Sequence, residues 1–334
     1  MTRATLGKTR NRVAAIDSLL ARARSTRSGA AVFIDGEMTG TGSIDLTGDG
    51  VGLNSQFHVD SAATGAVILN GGLVDGDVRL ATAISDGFAG TATFTGVSDQ
   101  VAGKGQILIY ATGTPTDGLS GTVHITTGTM AGVIASSWTR DGGLIDIDND
   151  CTGTLDIGMI RKGGDINIDG NLTSTGFIDI DGNVDDGGAI TIDGDADGDI
   201  TIGAGLDGDI TILGTLDGAL DIAQGTGVNS LIHCLGGLGS NGSIVVASVA
   251  TADANGDMAF GPTVEPLSLG NLTFDGCVEI GHGADLEGDI TLIGCLSIDP
   301  LICVSGNTNG TITLTQTGCT PGNYVVDSSC PTCP

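Results

Sequence analysis

The sequence predicts an all-β protein, a parallel β-solenoid with an N-terminal amphipathic helix and a Cys-rich C-terminal tail. Three observations predict this fold class. A short apolar-polar-apolar phrase recurs at a nearly constant interval, glycine and aspartate fill the intervals, and both ends of the 334-residue chain differ in composition from its middle. Internal repetition at a short fixed period is the sequence pattern of a solenoid, whose stacked coils share one core.

The recurring phrase is clearest between residues 142 and 222. Its alternation is typical of a strand with one buried face. Successive phrases begin 10 to 12 residues apart, a spacing more regular than that of β-sandwich strands. They occupy residues 145–147, 155–157, 166–168, 178–180, 190–192, 200–202, 210–212 and 220–222. Weaker copies at 32–34, 44–46, 57–59, 67–69, 78–80, 107–109, 123–125, 267–269, 278–280, 290–292 and 312–314 extend the predicted solenoid over residues 30–315.

The intervals between the phrases predict corners. A small apolar residue follows several phrases after four positions, at Leu172, Val184, Ala196, Leu206 and Leu216. Glycine, aspartate and asparagine fill the other positions, and we expect them to supply the positive φ angles of tight corners. The stretch near 225–266 is irregular and predicts a loop or a bulged coil. The pattern leaves open the handedness and whether a coil has two sides or three.

The N-terminal arm, residues 1–29, is basic, whereas the rest of the chain is acidic. Residues 4–24 predict an amphipathic helix with Val13, Ile16 and Leu20 on its apolar face. Three interpretations stay open: a cap on the first coil, a connector that docks on the acidic body of the next subunit, and a cleavable targeting peptide. The basic residues expected to make the assembly contacts are Arg3, Lys8, Arg10, Arg12, Arg22, Arg24 and Arg27.

The formal net charge of −28 restricts the partners. Because an acidic body repels polyanions, we expect no nucleic acid and no anionic membrane as a partner. Cations, basic surfaces and other copies of the chain are favoured. The sequence contains no apolar run long enough to predict a transmembrane helix, and no apolar region typical of a secretion signal.

Carboxylates at outward positions make calcium the one cofactor that the sequence suggests, because hard cations bind arrays of oxygen ligands. The middle residue of each phrase faces solvent, and stacking brings such residues about 4.8 Å apart wherever they share a column. The alternative is a solvated ladder without an ion. The candidate ligands are Asp193, Asp195, Asp197 and Asp199, which resemble half of an EF-hand loop, and a second cluster of Asp146, Asp148 and Asp150.

Eight cysteines are concentrated toward the C-terminus, and residues 316–334 form a Cys- and Pro-rich tail that is not expected to continue a regular coil. Their even number favours disulfides, which predicts an extracellular or cell-surface location. Buried free thiols and a cytoplasmic scaffold are the alternatives. The disulfide candidates are Cys277, Cys295, Cys303, Cys319, Cys330 and Cys333.

Catalysis is not expected. Outward carboxylates such as Asp146 and Asp156 could serve as acid and base on a polysaccharide. Sugar clefts commonly present aromatic platforms, however, and the chain has one Trp and two Tyr. The GxGxxG pattern at residues 203–208 precedes a predicted strand rather than a helix, so it does not predict a phosphate site.

The phrase-rich runs resemble a broad class of proteins. GDINIDGNL, GAITIDGDADGDITIGAGL and GDITILGTLDGALDI are similar to strand repeats of bacterial surface and matrix proteins and to bactofilins, the polymerising β-helices of bacterial scaffolds. The resemblance implies a structural or adhesive role, often in polymers, although bactofilins have a shorter core and lack a Cys-rich tail. We therefore expect head-to-tail self-assembly into a filament or layer, with a monomeric adhesin or calcium- or glycan-binding rod as the alternative and a polysaccharide lyase or hydrolase less favoured.

Overall fold

Every regular element that the structure describes is a β-strand. The structure is a computed structural model. In its described part no helix is long and apolar enough to cross a membrane. The structure describes residues 3–5, 31–34, 43–46, 56–59, 66–69, 73–74, 77–80, 88–98, 105–109, 118–185, 187–227, 230–239, 241–246, 257–260, 273–274, 277–280, 290–293, 295–296, 301–304, 307–315 and 325–327.

Thirty-two strands follow one another along the described residues. Most are four residues long. They are β1 Arg3–Thr5, β2 Ala31–Ile34, β3 Ser43–Leu46, β4 Gln56–Val59, β5 Ala66–Leu69, β6 Leu73–Val74, β7 Asp77–Leu80, β8 Thr91–Phe94, β9 Val97–Ser98, β10 Gln106–Ile109, β11 Thr122–Ile125, β12 Val133–Ser136, β13 Thr139–Arg140, β14 Leu144–Ile147, β15 Thr154–Ile157, β16 Ile160–Arg161, β17 Asp165–Ile168, β18 Phe177–Ile180, β19 Ala189–Ile192, β20 Asp199–Ile202, β21 Asp209–Ile212, β22 Ala219–Ile222, β23 Leu231–Cys234, β24 Ser243–Val246, β25 Asp257–Phe260, β26 Thr273–Phe274, β27 Cys277–Ile280, β28 Ile290–Ile293, β29 Cys295–Leu296, β30 Leu301–Val304, β31 Ile312–Thr315 and β32 Val325–Asp327.

The chain divides into two compact units, and each is a parallel β-solenoid. The first comprises Met1–Gly158 and Gly164–Asp169. Its strands form two parallel ladders, β1-β2-β4-β7-β10-β12-β15 and β3-β5-β8-β11-β14-β17. A short ladder, β6-β9, lies beside them.

The second unit comprises Met159–Gly163 and Gly170–Pro334. It repeats the arrangement with the ladders β18-β20-β22-β24-β27-β30-β32 and β19-β21-β23-β25-β28-β31. Strands β26 and β29 form a short third ladder. The predicted parallel β-solenoid is therefore confirmed in each unit.

Successive phrases alternate between the two ladders. Strand β21 pairs with β19 rather than with β20, and β19 and β21 begin 20 residues apart. The phrase interval of about ten residues is therefore half a coil, and a coil has two sheet faces. Each coil contributes one strand to each of the two main ladders, and the residues between these strands form further parallel columns of single-residue bridges.

Alternate residues of each strand point into a dry core. Strands β20 and β21 both read Asp-Ile-Thr-Ile, and in both strands the two isoleucines are buried. Within a ladder, Ile190, Ile210 and Ile232 lie directly above one another. Burying stacked aliphatic side chains removes apolar area from water at about 25 cal/mol per Å², the main stabilising contribution to such a fold.

The corner residues are also part of the core. Leu172 forms a single-residue parallel bridge with Ala196, which forms another with Leu216. Val184 and Leu206 form an equivalent pair on the other corner. All five predicted corner residues are completely buried, so this prediction is confirmed.

Glycine precedes many strands because two backbones meet there. A Cβ added at Gly208, just before β21, would lie 2.1 Å from the carbonyl oxygen of Gly188, which precedes β19. At Gly218 the corresponding distance to the carbonyl oxygen of Gly198 is 2.2 Å. None of these four glycines has a positive φ, so the role expected from the sequence was wrong for them. Among the described glycines, positive φ angles occur at Gly105, Gly142, Gly163, Gly187 and Gly237.

Aspartate and asparagine at the corners and at the first position of strands accept hydrogen bonds from the backbone of the next coil. The Oδ1 atom of Asp195 accepts a hydrogen bond from the Thr215 N–H at 2.9 Å, and that of Asp199 accepts one from the Ala219 N–H at 3.0 Å. The other acceptors are Asn171, Asn183, Asp209 and Asp217. A side chain with one methylene reaches a backbone N–H one coil away. This contact gives a physical reason for 36 Asp against 4 Glu.

Three segments differ from the sequence-based prediction. The stretch near 225–266 contains β23, β24 and β25, which join the ladders in register. The sequence pattern does not reveal β24 and β25 because their middle residues, Val245 and Ala259, are apolar, and β25 begins 14 residues after β24. In the tail, residues 325–327 form β32, which pairs with β30 and so extends a ladder, whereas the rest of 316–334 lies outside the described residues. At the N-terminus, Ala4 and Thr5 belong to β1, which pairs with β2 instead of starting a helix. The remainder of the predicted helix lies outside the described residues.

Candidate functional site

A cluster of potential metal ligands lies on the outer face of the first unit. Strands β8, β11, β14 and β17 are neighbours in one ladder, and their third residues share a column. Because the second and fourth residues are buried, the third faces outward. The column reads Thr93, His124, Asp146 and Asn167.

A second outward column begins where these strands end. The Asp148 N–H donates to the Ile125 carbonyl at 3.0 Å, and the Asp169 N–H donates to the Ile147 carbonyl at 2.8 Å. The backbone therefore stays paired one residue beyond β14 and β17. This continuation places Asp148 and Asp169 beside Asp146 and Asn167 on the same face, because residues two apart in a strand share a face.

The three residues His124, Asp146 and Asp148, here called the His124 cluster, bring their polar atoms together. The His124 Nε2 atom lies 2.7 Å from Asp148 Oδ1 and 3.5 Å from Asp146 Oδ2. All three ligand atoms lie within 4.8 Å of one another. The exposed fractions of the side chains are 30 %, 24 % and 34 %, so the cluster is reachable from solvent.

Asn167 holds one of these carboxylates in place. Its Nδ2 atom donates to Asp146 Oδ1 at 3.2 Å and to Asp169 Oδ1 at 2.9 Å. The other oxygen of Asp146 thereby remains turned toward the imidazole. Among the described residues the His124 cluster is the one group of at least three His, Cys, Asp or Glu side chains at metal-ligand spacing.

The structure distributes the predicted calcium ligands unevenly. Asp146 and Asp148 meet in the His124 cluster, whereas Asp150 does not belong to it. Asp193, Asp195, Asp197 and Asp199 are exposed and form no such group. Asp195 and Asp199 each have one carboxylate oxygen engaged by the backbone of the next coil.

The outward carboxylates Asp146 and Asp156, which could serve as acid and base, are not brought together. Asp146 lies in β14, opposite His124 and Asn167. Asp156 lies in β15, which belongs to the other ladder and pairs with β12. The two carboxylates therefore do not lie on neighbouring rungs of one column.

Two cysteines that were not among the disulfide candidates are buried free thiols. Cys151 bridges Met130 in a corner column, and Cys234 lies opposite Ile212 in the core. Burial raises the pKa of both thiols to about 12, although a backbone hydrogen bond with Gly153 opposes the effect for Cys151.

The disulfide candidates remain untested. In the described strands Cys277 lies opposite Leu301, Cys303 lies opposite Glu279, and Cys295 lies opposite Thr273. These registers do not place two cysteines directly across from each other. Cys319, Cys330 and Cys333 lie outside the described residues.

The predicted assembly residues are almost all outside the described part of the chain. Arg3 lies in β1, opposite Ala31. The others are Lys8, Arg10, Arg12, Val13, Ile16, Leu20, Arg22, Arg24 and Arg27, and their positions are not described.

Histidine at position 124 is the functional candidate that sequence reasoning missed. Its partner Asp146 is 22 residues away, and the two become neighbours because every second four-residue strand belongs to the same ladder. The available signal was the middle position of the phrase at 123–125. The intervening strand β12, Val-Ile-Ala-Ser, hid the register because it does not alternate.

Comparisons of the chain with known protein families, with curated proteins and with solved structures find no match in any of the three. The resemblance to bacterial surface proteins and bactofilins therefore stays a sequence-based expectation. Conclusions about function depend on the chain's own geometry.

Proposed function

We propose that this chain is a non-catalytic structural protein that self-assembles head to tail into a filament or a surface or matrix layer. The observation that supports the proposal is the uniformity of the rungs. In each unit the main ladders consist of parallel strands, mostly four residues long and paired in register. An end strand of such a ladder presents the same spacing of backbone donors and acceptors as an internal strand.

The ends of the ladders are the proposed contacts. In the described part of the chain, β3 is paired on one side, with β5, and β31 is paired on one side, with β28. A parallel strand that is added to either edge extends the ladder and satisfies its backbone groups. Joining the β31 edge of one copy to the β3 edge of another is a heterologous contact, which generates an open fibre if the rotation does not close.

The basic arm is proposed to control this contact. Its β1 pairs with β2 of the same chain, the contact expected of a cap on that ladder. As a connector, the arm would instead leave its own chain and bind an acidic neighbour. A charge attraction of this kind weakens as salt screens it.

Negative-stain electron microscopy of the full chain and of a variant lacking residues 1–29, at low and high salt, tests the proposal. Filaments of the full chain that vanish on truncation or in high salt indicate a connecting arm. Filaments that increase on truncation indicate a capping arm. Single short particles in every sample would rule out self-assembly.

A monomeric binding rod is the second candidate, favoured by the carboxylates and threonines of the outer columns. Thr191 and Thr211 are neighbours in one ladder, and Asp179 and Thr201 are neighbours in the other. Such a rod would bind calcium or glycans as a soluble monomer. Sedimentation of a monomer at all concentrations, together with saturable calcium or glycan binding, would favour this candidate over assembly.

A further inference from the structure

The His124 cluster has the spacing of a metal-binding site. Its nitrogen lies 2.7 and 3.5 Å from the two carboxylate oxygens. A tetrahedral zinc ion with ligand bonds of about 2.0–2.1 Å holds its ligands about 3.3 Å apart. All three ligand atoms already lie within 4.8 Å of one another, so side-chain rotation is the adjustment expected when an ion binds.

The chemistry of the donors selects the class of metal. Calcium and magnesium bind oxygen ligands, whereas an imidazole nitrogen suits zinc, nickel, copper and cobalt. One nitrogen and two carboxylate oxygens form a three-residue set of the kind that leaves further positions to water or to a ligand of another molecule. The partly exposed side chains allow such a ligand to approach.

The backbone and Asn167 hold the donors in place before any ion binds. His124 and Asp146 are opposite each other in paired strands, and the Asp148 N–H is bonded to the Ile125 carbonyl. Asn167 binds Asp146 Oδ1, and so it turns Oδ2 toward His124. A residue that orients a ligand through a hydrogen bond commonly changes metal affinity by about 10–100-fold.

We propose that His124, Asp146 and Asp148 bind one divalent transition-metal ion of the zinc class, and that Asn167 positions Asp146 for it. Without metal, His124 and Asp148 share a hydrogen bond. The ion takes the place of that hydrogen bond and binds the Nε2 lone pair. This site shares Asp146 and Asp148 with the second calcium candidate that the sequence suggests, but its imidazole ligand selects a different class of metal. The proposal does not depend on self-assembly.

Isothermal titration of the full, metal-stripped chain with zinc chloride tests the proposal. Millimolar calcium chloride in the cell occupies sites made of oxygen alone. The expected result is at least one equivalent of bound zinc, of which one equivalent is lost in His124→Gln and, independently, in Asp148→Asn. Asn167→Ala is expected to weaken that equivalent about tenfold.

Asp156→Asn is the matched control. It removes an outward carboxylate at the same strand position in the other ladder and should leave zinc binding unchanged. Circular dichroism melting checks that each variant is folded. Equal zinc stoichiometry in the wild type, His124→Gln and Asp148→Asn would overturn the proposal, as would a wild-type chain that binds no zinc in excess calcium. In either case the cluster is a hydrogen-bonded histidine–carboxylate group.

Discussion

At Gly208 the backbone of one coil passes so close to the preceding coil that a single methyl group has no room. The obstacle is the carbonyl oxygen of Gly188, at 2.1 Å from an ideal Cβ. We expect Gly208→Ala to lower the free energy of unfolding by about 1–3 kcal/mol or more, because the coils must separate. Chemical denaturation measures the loss.

Gly205→Ala is the matched control in the same half-coil. Its added Cβ would lie 3.4 Å from the nearest backbone atom, and Gly205 has no positive φ. We expect it to change the free energy of unfolding by no more than about 0.5 kcal/mol. Equal losses in the two variants would contradict the close approach of the coils.

The thiols of Cys151 and Cys234 make stability depend on alkaline pH. Their pKa values are raised from 9.0 to about 12 in the folded chain, so between pH 9 and 12 the unfolded state loses protons that the folded state keeps. The stabilisation is complete below pH 9 and is lost as the pH rises through that window, by about 1.4 kcal/mol per thiol and pH unit at most.

Urea unfolding at pH 8 and pH 10.5 measures this effect. The free energy of unfolding of the wild type is expected to fall more steeply with pH than that of a Cys151→Ala/Cys234→Ala double variant. Iodoacetamide followed by peptide mapping gives a second measurement, in which both thiols stay unlabelled until urea unfolds the chain. Rapid labelling of the native protein would contradict their burial.

At the scale of elements, hydrogen bonds from corner carboxylates link one coil to the next. Asp195→Ala removes the acceptor for the Thr215 N–H and should lower the free energy of unfolding by about 0.5–1.5 kcal/mol. Asp195→Asn keeps an Oδ1 acceptor, as Asn171 and Asn183 already do at equivalent bonds, and should stay near the wild type. If Asp195→Ala and Asp195→Asn lower the free energy of unfolding equally, the negative charge of Asp195, and not its hydrogen bond, accounts for the stabilisation.

Strand positions could be predicted from the sequence wherever the phrase alternates. There the isoleucines identify the buried face of the strand and the polar residues identify its exposed face. Strands β12 and β24 could not be predicted because their middle residues, Ala135 and Val245, are apolar, so the alternation is lost. In β23 the second inward residue is Cys234 rather than an aliphatic residue. Pairing could not be predicted, because phrases ten residues apart occupy different ladders. The His124 cluster depends on that pairing.

The two ends of the chain show a different limit of sequence-based prediction. The apolar periodicity of Val13, Ile16 and Leu20 predicts a helix, and these residues lie outside the described part of the chain. Residues 3–5 form β1, which pairs with β2, a contact with a ladder edge that a local pattern does not reveal. In the same way Val325 and Val326 join β30 despite the prolines and cysteines around them. At residues 3–5 and 325–327, pairing with a strand distant in sequence therefore determines the conformation.

At the scale of the whole molecule, composition restricts function more than any motif does. A net charge of −28 keeps copies apart unless specific contacts oppose the repulsion. The proposed contacts are directional ladder edges, assisted by a basic arm. Assembly is therefore expected to require the register that the paired strands define, and not merely high concentration.

Fibre diffraction from aligned assemblies of the full chain tests this central claim most directly. If copies join through their ladder edges, the spacing of about 4.8 Å between stacked strands runs along the fibre, and its reflection falls on the meridian. A 4.8 Å reflection on the equator would mean that copies associate side by side. That result, or a protein that forms no alignable assembly, would contradict head-to-tail assembly.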